Sequence, residues 1–184
     1  MELPKFKYHP EPLVTGSIEE SDCVCECCGK NTGFIYTGLP YSEEDLEDSI
    51  CPWCIANGEA HKKFDAEFTD LDAVGDYGSW SEVSLEVKEE IAFRTPGFSG
   101  WQEHKWWTHC NDAASFIGLA GVKEINEFGS GLIEQLKSET INTYKISEED
   151  WNNYFNALDA DGSPAAYIFK CNHCGKLGGY SDFD

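Results

Sequence analysis

Cys25 and Cys28 lie two residues apart in Cys25-Glu26-Cys27-Cys28-Gly29-Lys30, and Cys51 and Cys54 repeat that spacing in Cys51-Pro52-Trp53-Cys54. Two intervening residues let a tight turn aim both sulfurs at one ion, and a glycine after the second cysteine supplies the backbone angles such a turn needs. The pairs are separated by a span slightly longer than the roughly 15–20 residues usual between zinc-binding pairs. Four thiolates around one ion form a closed tetrahedral site with no position for an activated water, so the chemistry expected is structural zinc. A dithiol redox pair or an iron–sulfur cluster are the competing uses of the same thiols. Cys23 and Cys27 are then spare.

The motif recurs near the other end of the chain as Cys171-Asn172-His173-Cys174-Gly175-Lys176. No second pair accompanies it locally, so its partners must come from distant sequence. Cys110 is the one cysteine outside these clusters, and His109, His104 or His173 could complete the set. Cys110 with His109 is the favoured combination, although neighbouring residues often point in different directions. The plainer reading makes Cys110 a small buried hydrophobe. If only Cys110, Cys171 and Cys174 bind, a water completes the sphere and the zinc becomes catalytic, with Glu103 or His104 as proton carriers. Neither an HExxH pattern nor the deaminase signature is present. Asp159-Ala160-Asp161-Gly162 lacks the further acids of a calcium loop and reads as a polar turn. Trp101, Trp106 and Trp107 suit core packing around a metal site better than a recognition surface.

These residues need elements to hold them. Prolines 4, 10 and 12 favour an extended arm over a helix for residues 3–21, and Phe34 to Gly38 reads as a short strand. Ser42 with Asp45 resembles a helix start, and Pro52 suits the first turn of a helix running to Phe64, weakened by Gly58. Further helices are expected over 84–93, 113–119, 130–137 and 147–158, the last capped by Ser147 and Asp150. Residues 165–170 read as a strand entering the second knuckle. The fold class expected is α+β, with zinc-ribbon-like knuckles and short β-hairpins packed against a helical layer. Residues 1–184 form one compact domain in this reading, with an N-terminal zinc-binding subregion over 22–64 and a C-terminal subregion over 101–184.

Composition narrows the function. The 184 residues carry 34 acids and 13 bases, a net charge of -21, which repels phosphate backbones and argues against direct nucleic-acid binding. The same surface attracts a basic protein and speeds its encounter at low salt. No apolar run approaches the roughly 18 residues of a membrane span. No apolar segment follows the early lysines as in a secretory leader. The nine cysteines, an odd number, are therefore expected in a reducing, cytoplasmic setting, where CxxC pairs more often bind metal than form disulfides.

Several long stretches resemble the CbrC-like family of bacterial proteins, described in general terms as colicin E2 tolerance or uncharacterised proteins. They are LPKFKYHPEPLVTGSIEES, CECCGK with FIYTG, YSEEDLEDSICPWCIANG, RTPGFSGWQEHKWWTHCNDA and GSPAAYIFKCNHCGKL. The resemblance implies metal binding and a link to surviving a nuclease-type bacteriocin. This chain departs from the family pattern at Ala114, where relatives commonly carry a cysteine four residues after the one matching Cys110. A histidine or a water would then fill that ligand position. The function expected is a non-enzymatic zinc-binding acidic module for a basic protein such as a nuclease toxin. A zinc enzyme open at Cys110, Cys171 and Cys174 is the alternative.

Overall fold

The computed structural model describes residues 2–75, 80–100 and 104–183. Trp101 and Glu103 lie outside the described residues. The chain folds as α+β, with small antiparallel sheets and six α-helices among the described residues. No helix there is long and apolar enough to cross a membrane.

An N-terminal arm leads into a hairpin of β1 (Ile18–Glu20) and β2 (Phe34–Tyr36), whose long connection carries Cys25 and Cys28. Two short helices follow, α1 (Pro52–Ala56) with proline in its first turn and α2 (Glu59–Phe64). A single helix over this stretch is prevented by Gly58, which sits at φ 75° and turns the chain between them. After a 3-10 turn at Leu71–Ala73 comes α3 (Leu85–Arg94).

The C-terminal half begins with a tight hairpin of β3 (Thr108–His109) and β4 (Asp112–Ala113). β5 (Ser115–Ala120), β6 (Ala165–Lys170) and β7 (Leu177–Asp182) then build a three-stranded antiparallel sheet in that order. Between β5 and β6 lie α4 (Val122–Phe128), α5 (Ser130–Tyr144) and α6 (Glu148–Ala157). Ser147 and Asp150 form the capping box of α6, satisfying two donors that the first helical turn otherwise leaves unpaired.

β6 explains how the sheet is used. Tyr167 and Phe169 enter an aromatic cluster with Trp106, Phe98, Phe116 and Tyr180, while Ala166 and Ile168 join a second cluster with Leu132, Leu136 and Trp151 of α5 and α6. A strand buried on both faces reads as an unbroken apolar run, which is what Ala165 to Phe169 shows. Each large side chain so buried contributes roughly 1.5–3 kcal/mol. A third cluster, around Phe6, Ile18, Leu46, Ile50, Ile55 and Phe68, contains Cys25, Cys51 and Cys54.

Besides the helix split at Gly58, two expectations are corrected. Residues 113–119 are not a helix: Phe116 pairs with Phe169 and Leu119 with Tyr167 across the sheet, so tertiary pairing decides an apolar run that is ambiguous locally. No helix starts at Ser42 either. Its hydroxyl accepts from Glu44 N–H at 3.2 Å but donates to the Phe64 carbonyl at 2.8 Å, and Tyr41 is bridged to Glu67, so the segment bends back against the end of α2.

Candidate metal centres

The two C-x-x-C-G-K segments fold into the same knuckle. Cys25 N–H donates to the Lys30 carbonyl at 2.9 Å and Gly29 N–H to the Cys25 carbonyl at 2.7 Å; Cys171 with Lys176 and Gly175 with Cys171 repeat this at 2.8 and 3.0 Å. Gly29 and Gly175 sit at φ 68° and 73°, where a side chain is strained. The sequence echo is thus one local structure used twice.

In the first centre the ligand atoms of Cys25, Cys28, Cys51 and Cys54 all lie within 4.8 Å of one another. Cys25 and Cys54 sulfurs are 3.9 Å apart, as are those of Cys28 and Cys51. A tetrahedral zinc with bonds near 2.3 Å spaces its sulfurs about 3.8 Å apart, so the set fits the ion. Cys51 and Cys54 enter from the start of α1, and Cys51 N–H donates to Cys25 Sγ at 3.3 Å. The Cys51 hydrogen bond holds the Cys25 thiol down to about 4, while Cys51 itself is pushed up. Lys63 closes the outside, donating to the carbonyls of Glu26 and Cys27 at 2.8 and 3.2 Å.

The second centre brings together His109, Cys110, Cys171 and Cys174, again within 4.8 Å. His109 Nδ1 lies 3.2 Å from Cys110 Sγ and 3.4 Å from Cys174 Sγ, close to the nitrogen–sulfur separation of about 3.6 Å around tetrahedral zinc. The β3–β4 turn makes this combination work. His109 pairs with Asp112, so Cys110 and Asn111 are its two central residues, and both take φ 58°. Positive φ at both positions is the mark of a type I′ hairpin, a tight reversal matched to strand twist. Asn111 and Asp112, residue types that favour turns, were the local sign of it.

The His109 ring stacks on Trp107 at 13° and 5.3 Å between centroids, and Trp107 occupies the space over Gly178 of β7. Burial opposes ionising Cys171, but the N–H groups of Cys174 and His173, together with the side chains of His109 and Cys174, bring the thiol down to about 6. The two centres differ in access: Cys110 and Cys174 are exposed, whereas in the first centre only Cys28 is.

The remaining candidates fall elsewhere. Cys110 is exposed and is no buried hydrophobe. His104 packs against Phe98 with the rings tilted, burial lowers its pKa, and it lies outside either ligand set. His173 turns its Nε2 to Asp112 at 2.9 Å. Ala114 is buried with Cys171 in the aromatic core, where Trp106 Nε1 donates to its carbonyl at 2.8 Å. The fourth potential ligand atom of the second group comes from His109. Trp106 and Trp107 are core residues. Cys23 is exposed and Cys27 half-buried, and neither joins a ligand set. Asp159 makes a polar turn, accepting from Asp161 N–H at 3.0 Å.

Sequence reasoning missed Asp112. This buried carboxylate accepts from Lys7 Nζ at 2.9 Å, Tyr8 Oη at 2.7 Å and His173 Nε2 at 2.9 Å. Burial would raise its pKa, but those three donors together hold it below the usual carboxylate range. None of these partners is near in sequence, so no local signal existed.

A profile for an uncharacterised protein family, UPF0167, matches residues 3–183. A UPF0167 protein of Pseudomonas aeruginosa is 41% identical over 175 residues, 95% of this chain and 93% of that protein. UPF0167 proteins of Mycobacterium bovis and Mycobacterium tuberculosis are each 41% identical over 182 residues, 98% of this chain and 94% of theirs. No solved structure matches the chain.

Proposed function

The chain belongs to the uncharacterised protein family UPF0167, and we propose that it is a non-enzymatic zinc-binding module carrying two ions, one in each thiolate-rich centre. The observation that carries this reading is the convergence of four ligand atoms, all from protein, in both centres. A sphere filled by protein leaves no place for an activated water, which supports a structural use over catalysis. The open-site enzyme needs a vacancy beside Cys110, Cys171 and Cys174, and His109 Nδ1 stands there instead.

What the zinc-stabilised fold presents is a strongly acidic surface, with exposed Glu43, Glu44, Asp45, Glu47 and Asp48 in one segment and a net charge of -21. Charge of this sign suits a basic protein. The resemblance to colicin-tolerance proteins makes a nuclease-type toxin, basic because it binds nucleic acid, the partner proposed, with a role in tolerance or immunity in the cytoplasm.

The test is calorimetric titration of zinc-loaded protein with a basic colicin-type nuclease domain at low and at high salt. Binding that weakens steeply as salt rises is expected. Absence of binding at low salt would remove the partner while leaving the metal reading intact.

A further inference from the structure

We propose that Asp112 is the outer carboxylate of the second metal centre, and that through Lys7 and Tyr8 it makes the N-terminal arm a working part of that centre. The inference rests on the reading that His109, Cys110, Cys171 and Cys174 hold an ion.

Asp112 touches none of the four ligand atoms, yet it is tied to every segment that carries them. Its backbone pairs with His109 across the turn, which fixes the carboxylate relative to His109 and Cys110. His173, which donates to its Oδ2 at 2.9 Å, lies inside the knuckle between Cys171 and Cys174. The same Oδ2 accepts from Lys7 at 2.9 Å, and Oδ1 accepts from Tyr8 Oη at 2.7 Å and from Ala113 N–H at 2.9 Å. One buried carboxylate therefore joins the hairpin, the knuckle and the arm.

A second set of contacts runs beside it. Ser115 Oγ meets Asn172 Oδ1 at 2.7 Å and the Lys7 carbonyl at 2.8 Å, and Asn172 Nδ2 donates to the Ala113 carbonyl at 3.2 Å. Hairpin, knuckle and arm meet again here, so the junction does not depend on one side chain's placement.

The hairpin and the knuckle each bring two ligands from parts of the chain some 60 residues apart. Their relative position must be fixed before an ion arrives, or the ion must organise them at a cost in affinity. Partners hydrogen-bonded directly to the ligands of a metal site typically account for a 10–100-fold change in metal affinity; Asp112 acts one step further out, through its pairing with His109 and its bond to His173, so its effect belongs at the low end of that range. Asp112 is thus a positioning residue. Because binding free energies are linked reciprocally, an arm that strengthens metal binding is itself held more firmly when the ion is bound.

The experiment measures zinc affinity of the full-length protein by competition with a chromogenic chelator, using Co2+ absorption to tell a centre of three thiolates and one imidazole from a centre of four thiolates. Asp112→Asn should weaken the second centre by a factor of up to about 10, the low end of the range for outer partners, and leave the first unchanged. Tyr8→Phe, which removes a single hydroxyl, should weaken it by a smaller factor and keeps the question answerable if Asp112→Asn fails to fold. Unchanged affinity at the second centre in the variants that fold, or an equal loss at both centres, would overturn the inference. A wild-type protein that binds one ion only would instead overturn the two-centre reading on which it stands.

Discussion

His109 and Cys110 are adjacent in the chain, yet His109 Nδ1 and Cys110 Sγ converge to 3.2 Å because the backbone reverses at Cys110 and Asn111. Adjacent residues in an extended strand point to opposite faces and could not share an ion. The positive φ of Asn111 is what the arrangement requires of its neighbour. Asn111→Gly should leave stability and zinc content intact, since glycine adopts this angle freely. Asn111→Val should cost about 1–2 kcal/mol in denaturant unfolding and selectively weaken the second centre.

Gly178 faces the Trp107 ring that stacks on His109, and a Cβ there would collide with it. Gly178→Ala should therefore destabilise by about 1–3 kcal/mol through overpacking. It should also displace the imidazole, seen as a change in the Co2+ spectrum of the second centre. An unaltered spectrum would show that Trp107 does not position His109.

His9 is fully buried, with Nδ1 2.8 Å from the Pro96 carbonyl and Nε2 2.7 Å from Thr15 Oγ1. Burial holds its pKa down to about 4, below the unfolded value near 6.5. Between those values the unfolded chain binds more protons than the folded one, so this group's contribution to stability is whole above about pH 6.5 and is lost as pH falls toward 4. The loss is roughly 3 kcal/mol. Stability curves of wild type and His9→Gln from pH 7 to 4 should converge as pH falls; parallel curves would contradict the assignment.

Short-range rules fix the features that were legible in the sequence. The knuckles follow from C-x-x-C-G-K because the glycine angle and the turn hydrogen bonds are local, and the capping box of α6 is carried by Ser147 and Asp150 alone. Strand β5 was not legible, since its partner in β6 lies about 50 residues away and its apolar run suits either state. Ser42 carries a capping residue's chemistry but spends its hydroxyl hydrogen on Phe64, 22 residues on. Asp112 depends on Lys7, Tyr8 and His173, separated from it by 105, 104 and 61 residues.

The two centres sit in different hydrophobic clusters, so their loss should be separable. Cys51→Ser removes a thiol buried in the N-terminal cluster and, on the proposed zinc reading, should expose that region to proteolysis, because structural zinc contributes folding free energy directly. Cys171→Ser should leave the N-terminal region as protected as in the wild type. Equal protease sensitivity along the chain in both variants would show that the clusters do not unfold independently.

Zinc content per chain, measured by elemental mass spectrometry on native protein beside Cys51→Ser and Cys171→Ser, tests the central claim most directly. Two ions in the wild type and one in each variant is the result expected. One ion in the wild type that survives Cys171→Ser would contradict it.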